Sequence, residues 1–167
     1  MTGATRVVAI FPPLPQPSPV DALRRRHDPV AGVIAPHITL VFPFRSALTT
    51  DRLRSHVERA VAPVRAFPIR LAGITGSEGE YLFLNVKRGN DGIIDLHDRL
   101  YTGPLGEHLS REHTFTPHMT VGRFDSPDAL RAALAETAST DLRIDTAATA
   151  VTVLALDDTV ELHIPLA

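Results

Sequence analysis

The chain has 167 residues, 44% of them hydrophobic and 22% charged, enough for one substantial core, and holds no apolar run near the roughly 20 residues of a membrane helix. A formal net charge of -2 argues against a protein that grips long duplex nucleic acid, and the lack of cysteine excludes disulfides, thiolate metal sites and a cysteine nucleophile. The apolar run Val7 to Phe11, closed by Pro12 and Pro13, is too short for a secretory leader, so a cytoplasmic protein with no membrane partner is expected.

In chain order, residues 5–11 read as a β-branched strand and the proline-rich 12–17 as an extended loop. Ser18-Pro19 then supplies a cap and a first-turn proline for a short helix that Pro29 stops, with Arg24, Arg25 and Arg26 expected on a solvated face. A strand is predicted over 33–42 and a helix over 50–62, where Leu53, Val57 and Val61 recur every four residues before Pro63. Strands 67–75 and 81–87 flank a glycine turn, and Ile93, Leu96 and Leu100 mark a helix that Gly103-Pro104 interrupts. A strand over 117–124, a helix capped by Ser126 and strands near 142–147, 149–156 and 159–165 close the chain, the last two as a hairpin around Asp157-Asp158. The expected class is α+β: one domain over residues 1–167, a bilobal pseudo-two-fold repeat with motif-bearing halves near 33–87 and 117–167. Two antiparallel sheets line its central cleft, with helices outside.

The repeat rests on one shared motif. Pro36-His37-Ile38-Thr39-Leu40 and Pro117-His118-Met119-Thr120-Val121 both read P-H-h-T-h, with h apolar. Two such matches among eight histidines arise by chance on the order of once in a thousand, even allowing for a pattern noticed before it was tested, which favours duplication over coincidence. On a strand, residues i and i+2 share a face, so each imidazole stands beside its threonine hydroxyl while the apolar neighbours enter the core. If the two strands meet across a cleft, one neutral histidine takes a proton from an attacking hydroxyl or water and the other, protonated, gives one to the departing oxygen. The threonines then donate hydrogen bonds to nonbridging phosphate oxygens and hold the phosphorus in line, with neither metal nor cofactor required.

Paired H-x-T-h motifs in two halves resemble those of the 2H phosphoesterases, the superfamily of bacterial and archaeal 2'-5' RNA ligases and cyclic phosphodiesterases. The resemblance spans nearly the whole chain and implies chemistry on a 2',3'-cyclic phosphate or a 2'-5' phosphodiester at an RNA or nucleotide end. It assigns catalysis to His37 and His118, with Thr39 and Thr120 beside them. In the ligase branch an arginine often lies five residues after the second histidine, the place of Arg123, which would contact substrate phosphate if a bulge turned it toward His118. The segments Phe115-Thr116-Pro117 and Phe42-Pro43-Phe44 resemble a less characterised group of the same superfamily.

Phe44, Tyr81 and Phe115 are the candidate stacking contacts for a base. His108-Leu109-Ser110 fits a looser H-x-S form but falls in a predicted helix, where i and i+2 face apart. No H-E-x-x-H pair, phosphate-binding glycine loop or nucleophile elbow occurs. The competing reading is a module that binds a nucleotide or phosphorylated metabolite in the same cleft without turnover.

Overall fold

The computed structural model describes residues 3–157 and 159–167. Its elements are β1 (Ala4–Ile10), α1 (Pro19–His27), β2 (Ile38–Ser46), α2 (Thr50–Val61), β3 (Phe67–Ser77), β4 (Tyr81–Arg88), α3 (Asn90–Leu100), a 3-10 turn (Gly103–His108), β5 (His118–Arg123), α4 (Pro127–Thr137), β6 (Arg143–Ala148), β7 (Ala150–Ala155) and β8 (Val160–Pro165). Three helices start where a hydroxyl can take an otherwise orphaned amide: Ser18 accepts from the Asp21 N–H, Thr49 from Arg52 and Ser126 from Ala129. Asp158, in the expected hairpin turn, lies outside the described residues.

The strands form two four-stranded antiparallel sheets, ordered β2-β1-β7-β8 and β5-β4-β3-β6. The first joins the two ends of the chain and the second takes the consecutive strands between them, so the division into sheets cuts across the division into motif-bearing halves. Helices α2 and α3 cover one face of the first sheet, and α1 and α4 cover one face of the second. Strand periodicity sorts side chains between these layers: along β4, Leu82, Leu84 and Val86 are buried toward the helices while Tyr81, Phe83 and Asn85 stand on the uncovered face. The motif strands β2 and β5 are edge strands of their respective sheets, and they touch one another. The uncovered faces meet along that seam, which makes the cleft.

Two expectations about the first half are corrected. Strand β2 begins at Ile38 rather than near residue 33. Residues 30–34 make tight turns, with Val33 and Ile34 both donating to Val30 O, and Val33 is 63% exposed. The arginine run is not uniformly solvated either. Arg24 is 2% exposed, pairs with Asp28 at 2.8 Å and donates to Ile34 O at 2.8 Å, while Asp28 accepts from the Val30 N–H. This buried pair replaces the expected strand with a pinned turn just ahead of His37. Strand β2 tolerates Pro43 because an edge strand can spare an amide.

Candidate active site

His37 immediately precedes β2 and His118 opens β5. In each case ring Nδ1 faces the backbone carbonyl two residues earlier: His37 Nδ1 is 2.9 Å from Ala35 O, and His118 Nδ1 is 2.7 Å from Thr116 O. A carbonyl oxygen only accepts, so Nδ1 carries the hydrogen and Nε2 is the ring nitrogen at which a proton is gained or lost. The intervening prolines explain the tether. Each restricts the residue before it to extended backbone and brings no amide of its own.

An aromatic ring backs each histidine. His118 stacks on Phe83 of β4 at 3.6 Å and 19°, and His37 leans on Phe11, just beyond β1, at 5.4 Å and 37°. Burial pulls the His118 pKa below its ordinary 6.5, the bond to Thr116 O opposes that, and the charge of His37 lowers it further. Thr39 and Thr120 are half-buried two positions on, set in register with Ala9 of β1 and Phe83 of β4, while Ile38, Leu40, Met119 and Val121 are fully buried.

A second repeat follows each threonine. Thr39 pairs with Ala9 but Val41 with Val8, and Thr120 pairs with Phe83 but Gly122 with Leu82, so Leu40 and Val121 are each one residue extra. These bulges break the two-residue alternation. The residue three beyond each threonine, Phe42 in β2 and Arg123 in β5, consequently leaves the core. Arg123 pairs in register with Tyr81 on the face shared by Phe83 and Asn85, and its guanidinium lies 5.7 Å from the centre of the Tyr81 ring. Its Nε donates to Glu80 at 2.7 Å.

A cavity of about 680 Å³ opens beside His118 and Thr120, lined by Phe42, Tyr81, Phe83, Tyr101 and Phe115 among others. His37, Thr39 and Arg123 flank this cavity rather than line it. Tyr81 and Phe115 do line it, and Phe115 stacks on His97 at 3.9 Å. Phe44 does not: it is 3% exposed, in the core against His108 at 5.3 Å, because irregular register over residues 41–44 turns it inward. Phe42, 49% exposed, with its amide donating to the Tyr101 hydroxyl at 3.1 Å, occupies the position foreseen for Phe44. The spacing held the signal, since Phe42 follows His37 by the five residues that separate Arg123 from His118. His108 ends the 3-10 turn and also lines the cavity. Among the described residues no three His, Asp or Glu side chains gather as a metal site.

Known proteins share this fold. E. coli LigT complexed with NADP+ matches with a TM-score of 0.61 at 19% identity, covering 100% of this chain and 96% of that one. E. coli LigT complexed with 3'-AMP matches with a TM-score of 0.58 at 17% identity, covering 99% and 96%. Identities this low show a common fold. In sequence, a protein of Halalkalibacterium halodurans named "Putative phosphoesterase" is 30% identical over 128 residues, 74% of this chain and 72% of its own length. The family model described as the 2'-5' RNA ligase superfamily matches residues 11–159, a span that takes in both motif strands, and the chain belongs to that superfamily.

Proposed function

We propose that the protein is a metal-independent phosphoesterase that opens a 2',3'-cyclic phosphate, or acts on a 2'-5' phosphodiester, at an RNA or nucleotide end. The observation that carries this reading is the twin tether: two histidines at the starts of adjoining strands, each with Nδ1 held by the backbone carbonyl two residues earlier, which fixes the hydrogen on Nδ1. Structural relatives complexed with 3'-AMP and NADP+ favour a nucleotide in the cleft.

In the opening direction His118, kept neutral by burial, takes a proton from water through Nε2 as the water oxygen bonds to phosphorus. The bond from phosphorus to one ribose oxygen breaks, and that oxygen receives the proton held on His37 Nε2. Each turnover leaves a phosphomonoester and exchanges the protonation of the two rings, which solvent resets. Thr39 and Thr120 donate to the nonbridging oxygens, where charge grows in the transition state. Arg123, turned to this face by the bulge, adds a cation at the rim, and Phe42, Tyr81 and Phe115 offer ring faces to a base.

Phosphorus NMR of adenosine 2',3'-cyclic phosphate incubated with the protein in EDTA tests this. The expected result is loss of the cyclic resonance and growth of one phosphomonoester. A cyclic phosphate and a 2'-5' dinucleotide that both bind folded protein yet persist unchanged would point to the non-catalytic binding module.

A further inference from the structure

We propose that the uncovered face of the second sheet carries a phosphate track running away from His118, formed by Lys87, Arg88, Arg70 and Arg143, and that the preferred ligand is a single-stranded oligonucleotide. The location of the reacting phosphate rests on the phosphoesterase reading above. The track itself follows from strand register.

His118 is paired with Asn85 of β4, and Lys87 stands two residues further along the same strand face, about 7 Å on. Gly73 of β3, at φ +79°, keeps this path open. A Cβ built there would lie 3.3 Å from Lys87 Cε and 3.9 Å from Asn85 Nδ2, so the lysine stem crosses the space a side chain would fill. Beyond it, Arg88 pairs in register with Arg70, Arg70 with Asp145, and Ala72 with Arg143. The helix-side face of the same strands is formed by Ile69, Leu71, Val86 and Ile144, all buried, which leaves the cations on the cleft side.

Charge is polarised along β4. At the Tyr81 end carboxylates stand beside the basic groups, Glu80 engaging Arg123 and Glu78 lying near His113. At the other end Arg70 and Arg143 share one carboxylate, Asp145, which lies 2.7 Å from Arg70 and 3.6 Å from Arg143. Among the described residues no carboxylate comes within 4.0 Å of Lys87 or Arg88. A local excess of positive charge on a chain of net charge -2 is not a by-product of overall composition. Spread over three neighbouring strands, the patch is about 10 Å wide, a width that follows one nucleic-acid strand. Its continuity with the histidine pair selects the phosphates next to the reacting one.

The test compares binding of 3'-AMP with that of a five-nucleotide RNA ending in a 3'-phosphate, by competition against a fluorescent copy of the oligonucleotide. Wild type should hold the oligonucleotide at least tenfold more tightly at low salt, with about 0.7 added to the salt slope for each extra phosphate engaged. In Lys87→Gln/Arg88→Gln/Arg143→Gln the ratio of the two affinities should fall toward one, and in Lys87→Gln/Arg88→Gln part of the way, with thermal melts confirming the fold of each. An affinity ratio near one in wild type, an unchanged ratio in the triple variant, or equal binding of an RNA duplex would overturn the track. Failure of the catalytic reading looks different: the oligonucleotide would still bind through Lys87 and Arg88 while no phosphoester is cleaved.

Discussion

His37 and His118 each commit Nδ1 to a carbonyl two residues back, and the proline between ring and carbonyl is what holds that short loop extended. A tether of this kind fixes the tautomer before substrate arrives, so no ring reorganisation accompanies proton transfer. The two rings are not equivalent, because burial and the neighbouring His37 charge hold the His118 pKa below 6.5. In the unfolded chain that depression is absent and the ring binds its proton more readily. Folding stability should therefore fall as pH drops from about 6.5 toward the folded-state value, and level off below it. Thermal melts of wild type and His118→Phe across this range should differ in slope, the variant being flatter; parallel curves would show that His118 is not desolvated. By the same sign, the acid limb of the kcat/KM profile for a cyclic phosphate should lie below the unperturbed imidazole value.

Helix α1 and the turn after it set where β2 begins, and a buried ion pair fixes both. Arg24→Ala leaves the Asp28 carboxylate buried without its partner and frees Ile34 O, so it should cost about 3–5 kcal/mol in urea unfolding. A loss under about 1 kcal/mol, the size of an exposed pair, would contradict that role. The bulge in β5 is equally specific. A Cβ on Gly122 would lie 3.0 Å from the Cβ atoms of His27 and Leu82, so Gly122→Val should cost about 1–3 kcal/mol by forcing α1 from the sheet. Urea melts of the variant check this, with no change in midpoint as the contrary outcome. These two features also mark where the sequence stopped being legible. Element order was readable because caps at Ser18 and Ser126 and the alternation of β4 are local signals. Residues 33–37 looked like strand because Val33 and Ile34 favour it, but Arg24, ten residues upstream of Ile34, decides otherwise. Composition offered Phe44 as a contact and missed Phe42, since a bulge is a property of two paired strands rather than of one. The tethers and the ring supports at Phe11 and Phe83 likewise need three dimensions.

The first sheet is split in sequence, β1 and β2 being completed by β7 and β8, while the second is the uninterrupted run β3 to β6 inserted between them. The first sheet closes only with strands that follow all of the second's, and the cleft exists only when both are formed. The protein should accordingly unfold in one transition, with far-ultraviolet circular dichroism and calorimetry agreeing on its midpoint; two separated transitions would show lobes of independent stability. We read the matched motifs, tethers and bulges as marks of an internal duplication, in which each half brings one imidazole and one hydroxyl to the seam between β2 and β5. The claim on which the account turns is that both imidazoles move protons. The most direct measurement is hydrolysis of nucleoside 2',3'-cyclic phosphates in EDTA by wild type, His37→Ala and His118→Ala. The account predicts turnover by wild type and a loss of about 10²–10⁴-fold in each variant with the fold intact. Full activity surviving in either folded variant would contradict the two-histidine mechanism.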